Sequence, residues 1–84
     1  MSGRQYQTSF TLDSEKSDTV DLADDKRPAA IYVGAGGDLN LELFKDADGS
    51  ATLFKSVPTG TVLELRVRRI HTTGTTATLL VGLR

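Results

Sequence analysis

VPTGTVLELRVRRIHTTGTT, running from Val57 to Thr76, decides the fold. It reads as turn, strand, turn. Val57-Pro58-Thr59-Gly60 breaks one strand. Thr61 to Ile70 is rich in β-formers, and Thr72-Thr73-Gly74-Thr75-Thr76 turns the chain into a last strand, Ala77 to Leu83. No helical period fits this run. Within Thr61 to Ile70, Leu63, Leu65 and Val67 share one face, and Glu64, Arg66 and Arg68 share the other. Ile70 falls out of phase. A one-residue bulge near Arg68-Arg69 would return it to the core face.

Outward from this run the period of two recurs. Gln5 to Leu12 alternates, with Tyr6, Thr8, Phe10 and Leu12 on one side. This is a half-buried first strand or an extended arm. Ala29 to Ala35 places Ile31 and Val33 on one face and Tyr32 on the other. Leu39 to Lys45 turns Leu39, Leu41 and Leu43 inward and Asn40 and Glu42 outward, with Phe44 left to fill the second face. Ala51 to Val57 follows. The last strand aligns Ala77, Leu79, Val81 and Leu83. Gly34-Ala35-Gly36-Gly37-Asp38 and Asp46-Ala47-Asp48-Gly49-Ser50 are turns. Asp13 to Arg27 is polar and acidic, closed by Pro28; it reads as a long loop with one short strand near Thr19 to Leu22, covering a sheet edge. These short strands imply an all-β fold: an antiparallel meander completed into a small sandwich or barrel of six to seven strands. Residues 1–16 form an N-terminal strand or arm, and residues 17–84 a single β domain.

Composition narrows the function classes. A domain of 84 residues buries only about 60–65% of the surface its unfolded chain exposes. The chain has no cysteine, so neither a disulfide nor a thiolate metal site can reinforce it. Association between copies is the remaining route. Ten basic and eleven acidic residues leave a formal charge of −1, which offers no long-range attraction for nucleic acid or an anionic membrane. No apolar run reaches the roughly 18–20 residues a membrane helix needs. Met1-Ser2-Gly3-Arg4-Gln5 lacks the apolar stretch of a signal peptide, so the chain is expected to be made in a cytoplasm.

No constellation points to catalysis or to a cofactor. Gly34-x-Gly36-Gly37 precedes a strand, whereas a dinucleotide fingerprint needs a helix there; a glycine-rich hairpin with positive-φ residues fits better. Asp46-x-Asp48-Gly49 lacks the later ligands of a calcium loop, since position 55 is Lys55. A solvated turn and no metal is the expectation. His71 is the single histidine, and no spacing supplies co-ligands or a nucleophile partner. The strongest polar cluster is Arg66, Arg68 and Arg69 with His71. Alternation would place Arg66 and Arg68 on one face and Arg69 on the other. Such arginines form bidentate carboxylate pairs across an interface, or weak ion pairs on an exposed face worth roughly 0–1 kcal/mol each.

An ordered set of short elements resembles a known family. Ser17-Asp18-x-x-Asp21-Leu22, Arg27-x-Ala29-x-x-Tyr32-Val33-Gly34-x-x-Gly37, Val57-Pro58-x-Gly60-Thr61, Arg66-Val67-x-Arg69-Ile70 and Thr73-Gly74-Thr75-Thr76-Ala77 follow in this order. The pattern is similar to the spike-base proteins of gene transfer agents and related tailed bacteriophages. It covers about Ser17 to Leu83. The resemblance implies a non-enzymatic virion structural protein that is the base for a head spike or fibre. The partners it implies are copies of itself (a trimer or pentamer), a capsid protein below, and a spike or fibre protein above. It implies no cofactor, no nucleic acid and no membrane. Assembly would occur in the host cytoplasm and the final place would be the virion head. Asp18, Asp21, Gly34, Gly37, Val57, Pro58, Gly60, Gly74 and Thr75 are then fold-defining positions, with Asp18 and Asp21 accepting backbone N–H bonds in a turn. Arg66, Arg68, Arg69, Tyr6 and Phe10 are the interface candidates. A capsid cement protein without a fibre and a carbohydrate-binding β module are the alternatives.

Overall fold

The computed structural model describes residues 5–84. Its seven strands are β1 (Ser9–Thr11), β2 (Ala30–Ala35), β3 (Gly37–Leu43), β4 (Thr52–Val57), β5 (Val62–Leu63), β6 (Val67–Ile70) and β7 (Thr78–Leu83). They form two antiparallel sheets, ordered β1-β7-β2-β5 and β4-β3-β6. Among the described residues there is no α-helix, only single 3-10 turns at Asp13–Glu15 and Asp24–Lys26. The expected all-β sandwich is therefore present. Among the described residues no helix is long and apolar enough to cross a membrane.

The core lies between the sheets. Ile31, Val33 and Leu80 from one sheet meet Leu39, Leu41, Val67 and Ile70 from the other, closed by Leu12, Leu22, Val57 and Ala77. The alternation in β2 and β3 produces this directly, because inward side chains recur every second residue. Phe10 joins the core from β1. It lies opposite Gly82, where a Cβ would sit 2.3 Å from the Phe10 ring. Thus the ring fills the space that a side chain at 82 would take.

The connections depart from a meander. Of the consecutive strands, only β3 and β4 are paired neighbours. The expected single strand Thr61 to Ile70 is divided. Val62–Leu63 pairs with β2 in the four-stranded sheet, whereas Val67–Ile70 pairs with β3 in the other, so residues 64–66 cross the sandwich edge. Sheet-switching of this kind forms the corners of sandwiches. The glycine-rich segment is likewise a corner between sheets rather than a hairpin: β2 ends at Ala35, β3 begins at Gly37, and Gly36 alone joins them.

These glycines are required by space rather than by positive φ, which occurs instead at Gly49, Gly60 and Gly74. A Cβ on Gly36 would lie 2.6 Å from the Val57 carbonyl oxygen, and one on Gly37 would lie 2.7 Å from the Ala77 nitrogen. The corner is clamped between the turn after β4 and the turn before β7. Threonine hydroxyls complete the clamp: Thr59, Thr76 and Thr75 accept the backbone N–H groups of Gly36, Asp38 and Asn40.

Three further departures concern phase. The last strand does not hold Ala77, Leu79, Val81 and Leu83 on one side, because Leu79 is left-handed, with φ 55°, and 61% exposed, while Ala77 and Leu80 are buried. Glu42 points away from the core as expected but is wholly buried, and Phe44 is 55% exposed rather than packed. Residues 19–22 form no strand. They still cover the β6 edge as expected of this segment, since the Ser17 and Leu22 N–H groups donate to the carbonyls of Ile70 and Arg68.

Candidate functional site

The bulge anticipated near Arg68-Arg69 is present. Glu42 pairs with Arg69, and the next residue of β3, Leu43, pairs with Val67, leaving Arg68 as the extra residue. Two residues opposite one redirect the local side chains. Val67 and Ile70 both reach the core, and Arg68 and Arg69 turn together toward Glu42. The expected separation of Arg68 and Arg69 onto opposite faces is therefore corrected: they converge.

Three carboxylates receive them. Arg69 meets Asp21 through Nε at 2.8 Å and Nη2 at 2.7 Å, a bidentate grip on one oxygen, and Asp48 through Nη2 at 3.0 Å. Its Nη1 lies 3.7 Å from Glu42 Oε1. Arg68 pairs with Glu42 and lies 3.6 Å from Asp21. His71 Nε2 is 2.9 Å from Glu42 Oε1, and its Nδ1 is 3.6 Å from Asp18 Oδ1. Glu42 Oε2 also accepts the Gly49 N–H at 3.2 Å. A wholly buried carboxylate is tolerated only when paired and hydrogen-bonded, and Glu42 has both. The Asp21, Glu42 and Asp48 oxygens lie within 4.8 Å of one another, close enough to surround a cation. The two guanidinium groups already supply positive charge there. The arrangement is an ion-pair network that staples the loop 17–22 and the turn 46–50 onto β3 and β6.

Asp18 and Asp21 do different things. Asp18 is joined to the turn after β6: its carboxylate accepts the Thr73 N–H at 2.9 Å and the Thr73 hydroxyl at 2.7 Å. The Thr73 backbone bond, then its hydroxyl, and also the nearby His71, hold the Asp18 carboxyl below its ordinary value of 3.8. Among the described residues Asp21 accepts from no backbone group and serves arginines instead, Arg27 included at 3.9 Å. Of the glycine and proline positions, Gly60 donates its N–H to the Val33 carbonyl, and Pro58 accepts from both the N–H and the hydroxyl of Thr61. Gly74, at φ 90°, lies against Asn40, and Gly34 lies beneath Leu79.

The interface candidates are thus distributed. Tyr6 donates its hydroxyl to Glu64 at 2.6 Å, Phe10 is half-buried with Lys26 Nζ 5.5 Å from its ring centre, and Arg68 and Arg69 are drawn into the network. Arg66 stands apart. It is exposed, and its side chain makes no hydrogen bond or ion pair among the described residues; its carbonyl accepts the Phe44 N–H at 2.9 Å. It lines a groove of about 450 Å³ at the end of the sandwich where β6 starts and β7 finishes, together with Arg27, Arg84, Pro28 and Phe44. Sequence reasoning left Glu42, Arg27, Arg84 and Phe44 out of any site. Nothing local marks Glu42, because its partners come from β6 and from two loops.

No family model matches the chain, and no curated protein does. Among solved structures, a chain of the capsid of a native gene transfer agent particle, computed with C5 symmetry, superposes with a TM-score of 0.79 at 32% identity. The match covers 95% of the present chain and 84% of that one. At this identity over nearly the whole sandwich, the chain belongs to the family of that gene transfer agent capsid chain, and is a virion structural protein.

Proposed function

We propose that this protein is the base that attaches a head spike or fibre to the capsid through a symmetric homo-oligomer, and that it has no enzymatic activity. The observation that carries this reading is the kinship with a capsid chain from a particle treated with five-fold symmetry, joined to the ordered spike-base pattern along residues 17–83. A five-fold vertex suits a pentamer, with capsid protein below and a spike or fibre above. Closed symmetry repeats each contact, so individually weak contacts add to firm attachment. Attachment follows synthesis in the host cytoplasm. Arg66 is the interface arginine best placed to meet a partner, and Arg68 and Arg69 support it from within.

Cryo-electron microscopy of particles carrying a tagged copy, with native mass spectrometry of the free protein across a dilution series, tests this. Tag density at the vertices and a closed oligomer are expected. Density between capsomers would instead assign a cement protein. Specific binding on a glycan array, without particle association, would assign a carbohydrate-binding module.

A further inference from the structure

The groove at the open end of the sandwich has a composition that selects a ligand class. Its floor and walls carry apolar surface from Pro28, Val67 and Phe44, and Phe44 is more than half exposed despite being aromatic. Three guanidinium groups line it. Arg27 and Arg84 are held in place from behind: Arg27 Nε donates to the Leu22 carbonyl at 3.0 Å, and Arg84 Nη1 donates to the Asp24 carbonyl at 2.8 Å. Carbonyl partners orient a guanidinium without neutralising it. The charge that is countered belongs to Arg27, which lies 4.0 Å from the exposed Asp24 and 3.9 Å from Asp21. The Arg66 guanidinium has no hydrogen-bond or ion-pair partner among the described residues, although its backbone carbonyl accepts the Phe44 N–H at 2.9 Å.

Elsewhere in this chain the arginines show the opposite behaviour. Arg68 and Arg69 have their charge countered by three carboxylates. An exposed arginine without a carboxylate, beside a second that is only carbonyl-held and beside an uncovered phenyl ring, is a surface prepared for an outside acid. Resting on the attachment reading above, we propose that this groove docks an extended segment of the partner protein in which acidic and apolar residues alternate. Its carboxylates meet Arg66 and Arg84, and its apolar side chain covers Phe44. The volume suits a few residues of extended chain. A polyanion fits less well. Asp24 stands at the rim, and the net charge of −1 provides no long-range pull on a phosphate backbone.

The test uses the full chain and a fluorescein-labelled peptide alternating glutamate with leucine, read by fluorescence anisotropy. Saturable binding is expected, weakened about tenfold by Arg66→Glu through loss of a charge pair and its replacement by repulsion. Phe44→Ser should weaken binding as well. Both side chains are exposed, so thermal melting should not change and lost binding is not lost folding. Equal binding of a glutamine-for-glutamate peptide overturns the proposal, as does a clear preference for an oligonucleotide or for inorganic phosphate. Particle association separates the two readings. If Arg66→Glu protein joins particles as the wild type does, the groove is not the docking site and the attachment function stands. If wild-type protein never joins particles, the attachment function fails and so does the partner named here.

Discussion

The carboxylate of Asp13 holds the backbone of Leu79 in a left-handed conformation. Asp13 Oδ2 accepts the Leu79 N–H at 3.1 Å and Oδ1 accepts the Leu80 N–H at 3.0 Å, while Leu79 has φ 55°. The other described non-glycine residue at positive φ, Ser56 at 57°, is held the same way: its N–H donates to Asp38 Oδ1 at 2.8 Å. In both places an acidic side chain stabilises a strand distortion that the local sequence disfavours. At Leu79 the distortion changes which residues of β7 face the core.

Asp13→Ala should therefore destabilise the fold by about 1–3 kcal/mol, since two backbone donors lose their acceptor. Leu79→Asn should do the reverse and stabilise by about 1 kcal/mol, because asparagine tolerates the left-handed region and little leucine burial is lost. Urea denaturation followed by circular dichroism, at one fixed chain concentration, reads both signs.

Gly36→Ala should cost about 3 kcal/mol. The new Cβ would press on the Val57 carbonyl and the Thr59 nitrogen, at 2.6 and 2.8 Å, and backbone atoms cannot turn aside as a side chain can. Gly49→Ala has open space around it and tests a different cause, the positive φ of 81°. It should cost about 1 kcal/mol. A ranking with position 49 above position 36 would refute the clamped-corner account.

Glu42→Ala should destabilise by about 3–5 kcal/mol, because the buried Arg69 and the partly buried Arg68 would lose their central counter-charge. Asp48→Ala removes an 82% exposed carboxylate from the same network and should cost under about 1 kcal/mol. Equal losses for the two variants, measured by urea denaturation, would mean that burial does not govern this cluster.

Acid should weaken the fold in part through Asp18. Its carboxyl titrates lower in the folded chain than its ordinary 3.8, so the unfolded chain takes up a proton first as pH falls. The stabilisation is complete above 3.8 and is lost as pH falls through the lower folded value. Melting temperature against pH should thus fall less steeply below about pH 4 in Asp18→Asn than in the wild type. Parallel acid limbs would show that the Thr73 contacts do not act through ionisation.

Much of the fold was legible along the chain. Inward positions in β2 and β3 followed from a period of two, as did the turns at Val57 to Gly60 and at Thr72 to Thr76, because strand geometry and turn chemistry are local. Even the bulge at Arg68 was legible, since Ile70 was out of phase with Val67. The same reasoning failed where a distant group decided the outcome. Leu79 kept its place in a regular alternation until Asp13, 66 residues away, proved to capture its N–H. Glu42 looked like any outward strand residue until the bulge and two loops closed over it.

By itself, then, the sequence determined an all-β chain, its strands and turns, an acidic loop over a sheet edge, and a family pattern spread across residues 17–83. The tertiary structure alone decided which strands share a sheet, that Thr61 to Ile70 is split between two, and which arginines are spent internally and which face outward. The physical reason is range. Alternation and turn chemistry act over a few residues. Pairing register, burial of charge and backbone close approach depend on segments that meet only after the two sheets have packed.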